Sequence, residues 1–205
     1  MSAVLADLGR GFAQPVHDAQ QVFRAVLEGM SRPGRVQALP AAALQALEPP
    51  GLGRATTAVL LALLDAETRV WLHPSVRSEA ARAYLSFHTG VQLVDDEHGA
   101  GFAVIEADHA TPALWRELAC GSDAVPQDGA TLIVEVPSLD QGLALALRGP
   151  GVETVQALRI GGLHAGFWQA RRDMEADYPL GIELILTCGD RLAALPRSTR
   201  VSLEG

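Results

Sequence analysis

Two arginine clusters carry the clearest chemical signal in this sequence. Arg32 and Arg35 flank Pro33-Gly34, and Arg197-Ser198-Thr199-Arg200 offers two guanidinium forks with hydroxyl donors between them. Planar bidentate donors suit phosphate or phosphonate oxygens, and they suit carboxylates at a subunit interface equally. An ordinary basic surface loop accounts for the same residues as well. The chain has no lysine; all 16 of its basic residues are arginine. That absence removes an internal Schiff base with pyridoxal phosphate and a phosphate-binding P-loop, since both need a lysine amine.

The other chemical candidates have plainer readings. His17, His73, His88, His98, His109 and His164 show no metal-ligand spacing, and His88 is explained by the dipole and last carbonyls of a helix C-terminus. Asp95, Asp96 and Glu97 beside His98 could coordinate a divalent ion, but a solvated turn needs the same residues. Gly149-Pro150-Gly151 and Gly51-Leu52-Gly53 lack the third glycine of a dinucleotide fingerprint and read as tight turns. Gly29-Met30-Ser31 ends a helix where a nucleophile elbow would join strand to helix, which makes Ser31 a turn residue. Cys188 ends an apolar strand as a core residue. No general acid–base pair or nucleophilic set emerges, and neither a cofactor nor a metal is expected.

The elements that must position these residues alternate between helix and strand. Val16, Ala19, Phe23, Val26 and Met30 recur at helical spacing and predict a helix with that stripe buried, opened by Pro15 and stopped at Ser31-Arg32-Pro33-Gly34. Arg35 to Leu39 reads as a short strand and Pro40 to Arg54 as a loop with one helical turn. Thr56-Thr57 is expected to cap a buried helix through Leu64. Thr68 to Leu72 is a strand, and a helix from Arg77 to His88 closes at Gly90. Val91 to Val94 and Gly101 to Glu106 are expected to pair with each other around the acidic turn. Thr111-Pro112 is expected to cap and open a short helix to Ala119.

Strands follow at Thr131 to Val136, Leu143 to Leu147 and Thr154 to Ile160. A helix from His164 to Asp177 carries Leu163, Phe167 and Met174 on one side. Ile182 to Thr187 is a core strand, and Leu195 to Val201 a basic, extended tail. The pattern predicts an α/β fold, a single layered domain over residues 1–205 with a mixed sheet flanked by helices.

Bulk properties narrow the partners. At 205 residues and 48% apolar content the chain can bury one full core. A net charge of −8 with no basic stripe argues against nucleic acid. The longest apolar run, Ala58 to Leu64, stops at Asp65, far short of the roughly 20 residues a bilayer helix needs. Asp7 and Arg10 interrupt the stretch Met1 to Gln14 where a signal peptide would be apolar. Cys120 and Cys188 form no CxxC pair, so a reducing, cytoplasmic setting is expected.

Several blocks in order resemble the H-subunit family of the bacterial carbon–phosphorus lyase complex (PhnH). They are Phe12-Ala13-Gln14-Pro15-Val16-His17-Asp18-Ala19-Gln20, Phe23-Arg24, Met30-Ser31-Arg32-Pro33-Gly34, Ala55-Thr56-Thr57, Val70-Trp71-Leu72, Phe87-His88-Thr89 and Gly129-Ala130-Thr131-Leu132-Ile133. The C-terminal block from Pro179-Leu180-Gly181-Ile182-Glu183 to Cys188-Gly189, leading into Leu195-Pro196-Arg197-Ser198-Thr199, is the most specific. The resemblance spans Phe12 to Val201, loosely over Pro40 to Gly53 and Val152 to Asp177. Glu183 and Ser198 stand where the family pattern has aspartate and threonine.

The resemblance implies a role in alkylphosphonate catabolism. It implies packing with subunits G, I and J into the lyase core complex. With subunits G, I and L, it implies synthesis of alpha-D-ribose 1-methylphosphonate 5-triphosphate from ATP and an alkylphosphonate. It further implies a homodimer when isolated and a fold like that of pyridoxal-phosphate transferases without the cofactor. Two uses of the arginines follow. In one, the chain is a structural, assembly-promoting subunit; in the other, Arg197, Ser198 and Thr199, with Arg24 or Arg32, contribute phosphate contacts to a shared active site. A stand-alone module for a phosphorylated small molecule is the third reading.

Overall fold

A computed structural model describes residues 8–204. The reading of the N-terminal stretch falls in part on residues 1–7, which lie outside the described residues. The chain runs α1 (Pro15–Ser31), β1 (Gln37–Ala38), α2 (Ala41–Gln45), α3 (Arg54–Leu63), β2 (Arg69–Leu72), α4 (Glu79–Thr89), β3 (Gln92–Val94), β4 (Phe102–Glu106) and α5 (Leu114–Glu117). It continues through β5 (Thr131–Glu135), β6 (Leu143–Arg148), β7 (Gln156–Ile160), α6 (Ala165–Asp173), β8 (Glu183–Cys188), β9 (Arg191–Leu195) and β10 (Arg200–Leu203). No helix among the described residues is long and apolar enough to cross a membrane.

Seven strands form a mixed sheet in the order β1-β9-β8-β5-β4-β2-β3. β3, β2, β4, β5 and β8 are parallel, and β9 and β1 add antiparallel to one edge. Both faces are covered, so each central strand is apolar through its middle and alternates between two cores. On β5, Leu132 and Val134 face one core with Trp115, Phe167 and Trp168. Ile133 faces the other, with Val59, Leu60 and Tyr84 of α3 and α4. A second, antiparallel sheet, β10-β6-β7, buries Leu145, Leu147, Leu158 and Val201 in the first core.

The structure corrects several expectations. The strands at Val91 to Val94 and Gly101 to Glu106 do not pair with each other. β2 lies between them and pairs with both in parallel, because the chain reaches β3 through α4 and then crosses back. Thr56 and Thr57 do not cap α3, which starts at Arg54 with Gly53 as its N-cap. Both threonines are buried inside the first turn, and the Thr56 hydroxyl lies 2.7 Å from that of Thr187. Thr111 provides no side-chain cap to α5. His88 bonds to the Gly9 carbonyl at 3.3 Å and packs on Tyr84, not on the last carbonyls of α4. The tail is extended only at its two ends: Leu195 closes β9, the chain turns at Pro196–Thr199, and Arg200 and Val201 open β10 in the second sheet.

The buried stripe of α1 is also displaced. Its inward residues are Asp18, Val22, Val26 and Gly29, while Val16, Phe23 and Leu27 remain 75%, 43% and 51% exposed. Gly29 explains the rotation: a Cβ there would lie 3.1 Å from Leu192 and 3.3 Å from Ala194, so the helix meets β9 along its smallest residue. Asp18 turns inward because its carboxylate accepts the Gln14 N–H at 2.9 Å, holding the helix start.

Candidate functional site

The turn Pro196–Thr199 joins the two sheets and presents the C-terminal arginine cluster. It is pinned from beneath by Arg171 of α6. This side chain is buried, and its Nη2 donates to the carbonyls of Pro196 at 2.8 Å and of Leu195 and Thr199 at 3.4 Å each. Its guanidinium lies 5.6 Å from the centre of the Trp115 ring. Burial pushes its pKa down to about 10, opposed by the charges of Glu175 and Glu183. Among the described residues, Arg171 Nε and the Thr199 hydroxyl have no hydrogen-bond partner.

Arg197 is equally committed to the protein. Glu183 at the start of β8 accepts its backbone N–H at 2.7 Å and its Nε–H at 2.5 Å. Nη1 donates to the carbonyls of Pro126 and Pro179. With 17% of its side chain exposed, Arg197 is a tie between turns and not an open fork. Thr199 is fully buried and cannot reach a ligand. Two of the residues expected to clamp phosphate are therefore structural.

What remains open is a cleft of about 320 Å³ between this turn and the Gly149-Pro150-Gly151 turn. Arg148, Arg200, Ser198, Glu175 and Tyr178 line it, with Arg197 forming part of its wall. Arg148 and Arg200 are directly opposite each other in the β6–β10 ladder. Glu175 Oε1 accepts the Val201 N–H at 2.8 Å, which fixes the carboxylate against β10. Tyr178 is 62% exposed. Sequence reasoning flagged Ser198 and Arg200 but missed Arg148, Glu175 and Tyr178. Arg148 does sit between a strand and a glycine turn, but its partner depends on a strand register that no local pattern encodes.

Arg24 and Arg32 do not join the cleft. Arg24 is exposed on α1, and Arg32 pairs with Glu28 at 2.7 Å on the same helix. Ser31, expected in the turn, is instead the last residue of α1, its hydroxyl donating to the Glu28 carbonyl at 3.0 Å.

A second constellation lies at the carboxyl ends of the parallel strands. The chain leaves β2 toward β3 on one side and returns to β4 on the other, a topological switch point of the kind where open α/β sheets bind ligands. His73 follows β2 and His109 follows β4; their rings stack at 5.2 Å, with Trp71 edge-on to His73 at 5.5 Å. The Ser75 N–H donates to His73 Nδ1 at 3.1 Å, which leaves that nitrogen unprotonated and puts the ring proton on Nε2. Burial, then His109, holds the His73 pKa below its ordinary value. With Nδ1 accepting, Nε2 is the ring's donor. Asp96, Glu97 and His98 bring their ligand atoms within 4.8 Å of one another, but Asp96 Oδ1 accepts the His98 N–H at 3.1 Å. The acidic turn is thus an exposed, self-capped loop.

The comparisons with known proteins agree with one another. The family model described as "Bacterial phosphonate metabolism protein (PhnH)" matches residues 10–202. The chain is 37% identical over 196 residues to the alpha-D-ribose 1-methylphosphonate 5-triphosphate synthase subunit PhnH of Rhizobium meliloti (strain 1021), covering 94% of each chain. It is 32% identical over 188 residues to the putative C-P lyase subunit protein HtxG of Stutzerimonas stutzeri, covering 91% of this chain and 87% of that one.

Proposed function

This chain belongs to the PhnH family of bacterial phosphonate metabolism proteins, and from that membership we propose that it is a structural, assembly-promoting subunit of a phosphonate ribosyl-triphosphate synthase. In this reading it packs with subunits G, I and J in a carbon–phosphorus lyase core complex. With G, I and L it is required to form alpha-D-ribose 1-methylphosphonate 5-triphosphate from ATP and an alkylphosphonate. It works in the cytoplasm, brings no cofactor, and self-associates as a homodimer when isolated.

The observation that carries the proposal is the outward row Val16, Phe23 and Leu27 on α1. Large apolar side chains aligned on one exposed helix face cost free energy in water, about 25 cal/mol per Å² left uncovered, and they mark a surface that another protein covers. The internal use of Arg197 and Thr199 supports the same reading, since the most family-specific block builds the scaffold. We also propose that the mixed sheet between two buried faces is a pyridoxal-phosphate-transferase-like fold without its cofactor, in keeping with the absence of lysine.

Phe23→Glu tests the assembly role. The side chain is partly exposed, so the isolated variant should fold normally and fail to co-purify with subunits G, I and J. A Phe23→Glu chain retained in a fully active complex would refute the docking role of this face. Arg197→Ala separates the two uses of the arginines. An assembly role predicts loss of stability and of the complex together, whereas an intact complex without turnover would indicate a direct catalytic contribution.

A further inference from the structure

We propose that the cleft between the 148–151 and 196–200 turns binds a dianionic phosphoryl or phosphonyl group, gripped by Arg148 and Arg200, with Tyr178 packing against the organic part of the ligand. The site goes beyond the assembly role, and none of its residues comes from α1.

Four observations converge on it. Arg148 and Arg200 are Cα partners across an antiparallel ladder, and like charges directly opposite destabilise a strand pair unless something neutralises them. Among the described residues no carboxylate lies within 4.0 Å of either guanidinium, and the one protein contact that holds them is a 3.4 Å bond from Arg148 to the Thr154 carbonyl. The neighbouring Arg197 is by contrast neutralised by Glu183. With Glu175 in the wall, the lining retains one net positive charge from Arg148, Arg200 and Glu175.

The cleft is also preorganised. Arg171 and the Arg197–Glu183 tie hold one lip. The other lip is packed so closely that a Cβ on Gly149 would lie 2.8 Å from the Ser198 carbonyl oxygen. The backbone that carries the donors is thereby held in place before a ligand arrives. The Ser198 hydroxyl lines the same wall and has no protein partner among the described residues, which leaves it free to donate. A volume of about 320 Å³ is at the small end of the range for small-molecule sites. The exposed Tyr178 ring supplies a flat surface beside the cations.

Calorimetry of the full-length chain at low ionic strength tests the proposal, with inorganic phosphate, methylphosphonate and AMP as probes. Phosphate and methylphosphonate separate the two anion sources, and AMP reports on the ring. All three should bind saturably, AMP the tightest. Arg148→Gln and Arg200→Gln should each weaken binding about tenfold. Tyr178→Ala should remove the advantage of AMP and spare phosphate, while Arg24→Gln, remote from the cleft, should change nothing. Thermal midpoints of the variants check that they fold. Absence of saturable binding by all three probes, or unchanged affinity in the Arg148→Gln/Arg200→Gln double variant, would overturn the site. If the double variant instead loses partner subunits while the wild type binds no anion, the arginines serve a protein interface and the proposal fails, with the assembly role left standing.

Discussion

Glu183 holds Arg197 twice, through the backbone N–H at 2.7 Å and through Nε at 2.5 Å. The pair is mostly buried and fastens the C-terminal turn to the start of β8, so removing the charge leaves a desolvated guanidinium poorly matched. Glu183→Gln should destabilise the chain by about 1–3 kcal/mol. Chemical denaturation of the isolated protein measures it; no change in midpoint would mean the turn is held by other contacts.

Arg171→Met removes a buried cation but also the donor to three carbonyls of the same turn. The volumes are similar, so the lost hydrogen bonds should dominate, at about 1–3 kcal/mol. The pH dependence follows from the sign of the shift. A folded-state pKa lowered to about 10, below the ordinary arginine value, means that stability rises with pH only above about 10. Between about pH 5 and 9 the group is charged in both states and contributes no slope. The loss in Arg171→Met should therefore be equal near pH 6 and near pH 8.

Gly53 has an ordinary φ and closely approaches a carboxylate. Its N–H donates to Glu135 Oε1 at 2.6 Å, and a Cβ would stand 2.8 Å from that oxygen. The carboxylate thereby satisfies the N-terminus of α3 from the end of β5. Gly53→Ala should cost about 1 kcal/mol by displacing it. Glu135→Ala should cost a similar amount, and the double variant clearly less than the sum. Additive losses would show that the two residues do not act on each other.

His73 should make stability depend on acidity. Desolvation and His109 lower its folded-state pKa below 6.5, against weaker opposing charges on Glu106 and Glu97. The stability it carries is fully present above pH 6.5 and is lost as pH falls through the folded value. His73→Asn keeps a side-chain acceptor for the Ser75 N–H but cannot titrate. Denaturation midpoints across this range should fall less steeply in the variant; identical profiles would exclude His73 as the source.

The order of helices and strands was legible because periodicity and turn residues are local signals, as at Pro15–Ser31 and at Gly90, whose φ of +72° closes α4. The misreadings share one cause, which is that packing partners are not local. Hydropathy pointed to Phe23 and Val16 as the inward face of α1, whereas close approach to Leu192 and Ala194 selects Gly29. The segment Arg191–Leu195 is rich in alanine and leucine and looks nothing like a strand, yet pairing with β8 makes it one. The cleft was half visible: the run Arg197–Arg200 marked one wall, but only tertiary pairing shows that Arg197 faces inward and that Arg148 comes from across the sheet.

The subunit role meets its plainest test in co-expression of this chain with subunits G, I and J from the same host, followed by size-exclusion chromatography. It predicts one comigrating complex that forms the ribosyl triphosphate when subunit L is added and loses that turnover when this chain is omitted. A chain that elutes apart from the others, with turnover unaffected by its omission, would contradict it.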